Sequence, residues 1–199
     1  MSLYKILIMS FLRRITPGSK LANSLTLQEK LVSVRKTTKV TKGGRMFTFS
    51  IFVVVGDGNG RFGFGKGKSK ETTLARKKAF NSAKKNLYSV AIRGGRTVSH
   101  IVEGSCGSSN IFIRPATPGT GIIAGGAAKT LLEIIGFKDV VCKSSGSSAN
   151  KIAVVLAVVD ALSKLCSLTN IAKLRGKTTA EVLRKPEKQS EQIEVQKAS

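Results

Sequence analysis

The stretch GDGNGRFGFGKGKSKE, residues 56–71, holds two spellings that belong to nucleotide chemistry. Gly58-x-Gly60-x-x-Gly63 has the spacing of a dinucleotide-binding fingerprint, in which glycines let backbone approach a pyrophosphate. Gly67-Lys68-Ser69 has the ending of a P-loop, in which lysine reaches the terminal phosphates and serine a magnesium ion. Neither motif is complete. The fingerprint needs a helix directly after its glycines and an acid about 20 residues on for the ribose. Here Gly63, Gly65 and Gly67 continue in strand-like alternation, and the positions where that acid would stand are Arg76, Lys77 and Lys78. The first glycine of a P-loop would fall at Phe62, and no acid-bearing strand follows to hold magnesium. His100, the single histidine, reads as a strand residue rather than a general base. Cys106, Cys142 and Cys166 are odd in number and widely spaced, so neither a disulfide framework nor a metal site is expected, and a reducing compartment is.

A third loop could also hold phosphate. PATPGTGIIAGGAA, residues 115–128, resembles the glycine-rich loop before a helix in the GHMP family of small-molecule kinases, where helix N-terminal amides cradle a triphosphate. Carboxylates for a metal or a base are scarce, since Asp139 and Asp160 are the only aspartates after Asp57. The kinase stands as the enzyme alternative, lacking the rest of a phosphoryl-transfer site. No cofactor is expected.

The other reading of the glycine run is clearance. Glycines on one strand face let another backbone come close, while Phe62, Phe64, Lys66 and Lys68 occupy the opposite face. Such a face either lies on RNA, with lysines on phosphates and rings on sugars or bases, or its rings are core and the bare glycine face merely admits the following helix. Arg61, Lys66 and Lys68 are expected to meet RNA phosphates in either case. The charge supports a polyanionic partner: 34 basic residues against 11 acidic ones give +23 over 199 residues. Between Glu29 and Arg96 there are 17 basic and three acidic residues, a net +14, so nucleic-acid contact is sought there. The longest apolar run, residues 152–159, is too short to span a bilayer, and no membrane partner is expected.

The elements that would position these residues follow from periodicity. Residues 25–65 read as three strands. The middle one places Phe47, Phe49, Ile51, Val53 and Val55 on one buried face, and tight turns fall at Gly43-Gly44 and Asp57–Gly60. The first turn, flanked by Lys39, Lys42 and Arg45, is either a solvated loop or a cationic finger able to enter a groove. A helix is expected from Ser69 as N-cap, with Glu71 in its first turn, to about Val90. Its apolar stripe is Leu74, Phe80, Ala83, Leu87 and Val90; Lys70, Lys77 and Lys84, with Lys78 and Lys85 beside them, form a basic rail. Residues 91–100 read as a basic linker. After it come a two-stranded hairpin, a helix with Leu131, Leu132 and Ile135 inside and Gly136 as C-terminal cap, and the strand KDVVCKSS. A helix with a stripe of Ile152, Val155, Leu156, Val159 and Leu162 follows, then a short helix with Thr178-x-x-Glu181 as capping box, closed by Pro186.

Two long blocks carry a resemblance. LQEKLVSVRKTTKVTKGGRMFTFSIFVVVGDGNGRFGFGKGK and RPATPGTGIIAGGAAKTLLEIIG are similar to bacterial-type small-subunit ribosomal protein five, and the match runs from about Leu27 to Leu183. The resemblance implies an α+β fold: a sheet plus helix like a double-stranded RNA-binding domain at 25–91, and a βαβ domain of left-handed crossover at 98–185. A basic flexible extension is expected at 1–24 and a disordered tail at 186–199. It implies a non-catalytic role in subunit assembly, mRNA entry and decoding accuracy. The implied partners are 16S ribosomal RNA, small-subunit proteins four and eight, protein three nearby, and mRNA at the entrance; no self-oligomer is expected. Lys39, Lys42, Gly43, Gly44 and Arg45 are implied to face RNA, together with the rail lysines Lys77 and Lys84. Gly121 and Lys129 are implied to touch protein four. Lys129 departs from the family's usual arginine and loses its bidentate fork; Lys151 and Leu156 depart from a proline and an arginine. The expected location is the ribosome of a bacterial cytoplasm, with a mitochondrial or plastid ribosome as the alternative. A free double-stranded RNA-binding module is the alternative within RNA binding.

Overall fold

A computed structural model of the chain describes residues 13–15 and 27–183. The rest of the expected extension, and Pro186 with the expected tail, lie outside the described residues. Residues up to Leu165 form one compact unit and those from Cys166 a second.

The first sheet is antiparallel throughout, in the order β1-β5-β4-β3-β2. Its strands are β1 (Arg13–Ile15), β2 (Gln28–Thr41), β3 (Gly44–Gly56), β4 (Arg61–Ser69) and β5 (Leu87–Ser89). Thr41 pairs with Gly44, so the two-residue turn is Lys42-Gly43, one position earlier than expected. At the other end Asp57 Oδ1 accepts the amides of Asn59 (2.8 Å) and Arg61 (3.1 Å), closing the expected Asp57–Gly60 turn.

β3 is buried on both faces at its base. Ile51, Val53 and Val55 pack with Ala75, Ala79, Ala83 and Leu87, whereas Phe52 and Val54 join Phe62, Phe64 and Tyr88 on the other side. The expected buried face does not reach the tip, because Phe47 is 44% exposed. β4 ends opposite Phe49, and past that point no third strand among the described residues accompanies the hairpin.

Helix α1 covers Thr72–Lys85. Ser69 is the last residue of β4, and the N-cap position is Glu71, which makes no side-chain capping bond. The helix ends at Lys85 and not near Val90, so Leu87 lies in β5 and Val90 beyond it; of the expected stripe Ala83 is buried and Phe80 half-buried, Leu74 is exposed, and the other buried side chains are Ala75 and Ala79. The glycines explain this choice. A Cβ on Gly63 would stand 2.6 Å from the Ala83 carbonyl oxygen, one on Gly65 2.5 Å from the Ala83 nitrogen, and one on Gly67 2.6 Å from the Ala79 nitrogen. The helix backbone rests directly on the bare strand, which leaves room only for methyl side chains between them.

The second sheet runs β6-β7-β9-β8. Its strands are β6 (Val102–Cys106), β7 (Ser109–Pro115), β8 (Ile122–Ile123) and β9 (Val140–Gly146). β8 and β9 are parallel with helix α2 (Gly126–Ile135) between them, a βαβ unit. Leu131, Leu132 and Ile135 are buried as expected, and Gly136 caps the helix in the left-handed region at φ 101°. Helix α3 (Lys151–Ser163) packs on this sheet and is buried more fully than a single stripe: Val154, Ala157, Val158 and Ala161 are inside, while Ile152 and Leu156 are half-buried. His100 is an exposed loop residue, not a strand residue.

The two sheets share a core. Phe52, Val54, Phe62, Phe64 and Tyr88 belong to one apolar cluster with Leu131, Ile135, Val140 and Val155. The joint is the Asp57–Gly60 turn: the Gly58 amide donates to the Ile134 carbonyl (3.1 Å) and the Gly60 amide to that of Ile135 (2.8 Å). Two carbonyls from the last turn of α2 thereby gain partners. Lys30 on β2 adds an ion pair to Glu133 on α2 at 2.6 Å.

In the second unit, α4 (Leu168–Arg175) has Ser167 as N-cap, its Oγ accepting the Asn170 amide at 3.2 Å. The expected capping box opens α5 (Thr179–Leu183): Thr178 N donates to Glu181 Oε2 at 3.1 Å, and Glu181 N to Thr178 Oγ1 at 3.4 Å.

Candidate nucleic-acid interface

The β2–β3 hairpin extends beyond its sheet as an arm. Every residue from Val34 to Phe47 is exposed, and at about 3.4 Å per residue its eight residues on β2 reach roughly 25 Å. No acidic residue occurs between positions 30 and 56, so nothing within the arm neutralises Arg35, Lys36, Lys39, Lys42 and Arg45. At the tip, a Cβ on Gly43 or Gly44 would meet nothing within 4 Å, and backbone there is open to a partner.

Register sorts the cations by face. Arg35, Ser50 and Lys68 form one cross-strand row; Ser33, Phe52 and Lys66 form the next. Side chains in such rows share a face, so Lys66 and Lys68 stand with Arg35 and with Lys39, which pairs with Met46 nearer the tip. Lys66 and Lys68 are exposed, whereas Phe62 and Phe64 on the same face of β4 are buried in the shared core. The rings therefore do not stack on RNA: Phe64 and Tyr88 stack on each other with centroids 5.8 Å apart. Lys36 lies on the opposite face of the arm, its Nζ 3.9 Å from the centre of the Phe47 ring.

Other expected contact residues lie elsewhere. Arg61 begins β4, at the end of the sheet away from the tip, and its Nε is 3.9 Å from Asp57 Oδ2. Lys77 and Lys84 are exposed on α1, which covers the glycine face and not the face of Lys66 and Lys68. Lys84 Nζ lies 4.7 Å from the Phe80 ring centre, and Lys84 and Lys85 in the last turn also suit the negative end of the helix dipole. Arg35 and Lys36 are basic residues of the arm that motif and turn reasoning missed. The period-two pattern of β2 could have found Arg35, since it falls in phase with Lys39.

The expected protein-contact residues flank β8. Gly121 closes an exposed loop before that strand, and Lys129 lies on α2 with its Nζ 4.0 Å from Glu133 Oε1. Beneath the loop, Asp139 is 3% exposed. Its Oδ1 accepts the amides of Gly119 (3.0 Å) and Gly121 (3.1 Å), and its Oδ2 accepts Arg96 Nε (2.9 Å). The Gly121 amide is the main reason its carboxyl lies below the ordinary value; burial opposes the shift, and Arg96 and the Gly119 amide reinforce it.

Against known proteins, residues 27–91 match the family described as ribosomal protein S5, N-terminal domain, and residues 104–175 match ribosomal protein S5, C-terminal domain. The small ribosomal subunit protein uS5 of Wolbachia pipientis wMel is 48% identical over 163 residues, 82% of this chain and 95% of that protein. The chain belongs to the ribosomal protein S5 family. Small ribosomal subunit proteins uS5 of Baumannia cicadellinicola and Legionella pneumophila (strain Corby) are 46% and 45% identical, over 79% and 78% of this chain and 94% and 92% of their own lengths. Membership of the S5 family makes this a structural ribosomal protein and not an enzyme, which removes the kinase alternative. The α+β architecture anticipated for the S5 family is the one observed, with β2–β5 and α1 inside the first match and the βαβ unit inside the second; β1 precedes the first match and is a paired strand within the residues 1–24 expected as a flexible extension.

Proposed function

We propose that this chain holds ribosomal RNA of the small subunit with its first half and docks a neighbouring ribosomal protein with its second. The exposed, acid-free hairpin arm carries this reading. Arg35 and Lys39, with Lys66 and Lys68 at the base, offer phosphates one basic face, Lys36 and Arg45 add cations on the other, Lys42 stands in the turn, and no acid within the arm neutralises them. Lys39, Lys42 and Arg45 act at the tip, where Gly43 and Gly44 admit close approach. Lys77 and Lys84 provide a second basic surface on α1, and Arg61 is the weakest candidate because Asp57 already attends it.

The division of labour follows the expected domains, 25–91 for RNA and 98–185 for protein. In this reading the RNA is 16S ribosomal RNA, Gly121 and Lys129 face protein four, proteins eight and three lie close by, and mRNA enters near the arm. The Wolbachia, Baumannia and Legionella relatives are bacterial, which supports a bacterial cytoplasmic ribosome; N-terminal sequencing of the mature chain separates this from an organelle ribosome.

The test is a salt titration of binding to small-subunit RNA. Replacing Lys39, Lys42 and Arg45 together with alanine should lower the slope of log K against log salt by about 2 to 3, at roughly 0.7–0.9 for each phosphate no longer neutralised. An unchanged slope rules out the arm as the RNA-binding element.

A further inference from the structure

The loop Thr117–Gly121 has little apolar surface with which to hold itself in place. Residues 117–120 are exposed, and no member of the loop belongs to a core cluster. Its shape comes from hydrogen bonds. The Thr120 amide and hydroxyl both donate to the Thr117 carbonyl (3.2 and 2.9 Å), and the Gly121 carbonyl accepts the Val140 amide (3.1 Å). Pro118 and Gly119 (φ 93°) occupy the central positions that a type II turn favours for proline and glycine, and Gly121 has φ 75°, so both glycines sit where other residues would be strained.

One buried carboxylate supplies the remaining restraint. Asp139 gathers two loop amides on one oxygen and the Arg96 guanidinium on the other. Arg96 is fixed in turn, because its carbonyl accepts the amides of Lys138 (2.8 Å) and Asp139 (3.2 Å). A buried charge is costly unless fully paired, and here its partners are amides of an exposed loop. The core packs at Val140 and Phe137 without needing that loop. Such an arrangement serves presentation: it fixes the face that the loop offers to a partner.

We propose that Asp139, backed by Arg96, is the positioning residue that sets the Thr117–Gly121 loop in the shape read by a neighbouring small-subunit protein. The proposal rests on the docking role of Gly121 and Lys129. Neither Asp139 nor Arg96 meets the partner in this scheme; both act through the backbone of Gly119 and Gly121.

The test compares Asp139→Asn and Arg96→Gln with the parent chain by amide hydrogen exchange, urea unfolding, and competition for incorporation into reconstituted small subunits. Arg96 is half-exposed at its side chain, so the second variant preserves the fold if the first does not. Exchange at the Gly119 and Gly121 amides should accelerate about tenfold or more beyond any change in global stability, since a charge-assisted anchor is weakened or removed. Both variants should also lose in competition, and Arg96→Lys should recover part of the loss. Unchanged exchange at the two glycines in both variants overturns the proposal. Faster exchange with parental incorporation overturns it too, provided that Lys129→Glu is poorly incorporated in the same assay. If Lys129→Glu also incorporates normally, the docking role fails, and the loop has no partner for Asp139 to serve.

Discussion

A methyl group at Gly65 has no space to occupy. It would press into the α1 backbone, 2.5 Å from the Ala83 nitrogen, and neither strand nor helix can yield without opening the core between them. Gly65→Ala should therefore destabilise the protein by about 1–3 kcal/mol in urea unfolding, the range for overpacking a well-packed site. Gly43→Ala, at the open arm tip, should stay within about 0.5 kcal/mol. Asp139 adds a pH signature. Its carboxyl is lowered in the fold, chiefly by the Gly121 amide, so its contribution is fully present above the unfolded value of about 3.9 and is lost as pH falls through the lower folded value. The urea midpoint of Asp139→Asn should accordingly fall less than the parent's between neutral pH and that acidic window. At this scale the sequence showed which glycines formed a bare face and offered the following helix as its cover, but not which helix residues would lie against it. Hydrophobicity pointed to Leu74 as the inward residue of α1; the strand beneath admits only Ala75, Ala79 and Ala83, a choice made by distance and not by polarity.

The arm is a property of unequal strand lengths. β2 and β3 have 14 and 13 residues and β4 has nine, so among the described residues the outer part of the hairpin lacks a neighbouring strand and a covering helix. Alternation along β3 reads as one long buried face because periodicity records which side a residue takes, not whether anything stands opposite. Phe47 satisfies the alternation and is exposed, with the Lys36 ammonium over its ring. Since the arm contributes no residue between Val34 and Phe47 to either core cluster, it can be shortened without loss of the fold. Deleting 37–40 and 45–48 removes four register pairs and keeps the Lys42-Gly43 turn. The shortened protein should unfold within about 1 kcal/mol of the parent, measured in urea, yet bind small-subunit RNA with a shallower salt dependence. A large loss of stability would show that the arm belongs to the folded core.

For residues up to Leu165, the shared core predicts a single cooperative transition. Tyr88 from the first sheet and Val155 from α3 lie in one cluster, so near-ultraviolet signals from Tyr88 and NMR signals from α3 should change at the same urea concentration. The joint between α2 and the Asp57–Gly60 turn is the place to break this coupling. Gly136 has φ 101°, and a Cβ there would collide with the Gly58 carbonyl, so Gly136→Ala should separate the two probes or destabilise both by about 2 kcal/mol or more. Parental, coincident unfolding in that variant would remove the joint as a coupling element.

By itself the sequence determined the strands β2–β4, β6, β7 and β9 and the helices α1–α3 in order, the C-terminal cap at Gly136, the capping box at Thr178, the concentration of charge in the first half and the family. These depend on local periodicity, backbone preferences and composition, which each segment carries with it. Only the tertiary structure decided that the run from Gly56 to Gly67 serves two neighbours, its turn closing the end of α2 and its strand receiving α1. It also placed Phe62 and Phe64 in the core, left Lys66 and Lys68 on the open part of the same face, and gathered Gly119, Gly121 and Arg96 around Asp139. Those arrangements join residues far apart in the chain, and their physical cause is the short distance between backbones that only folding creates.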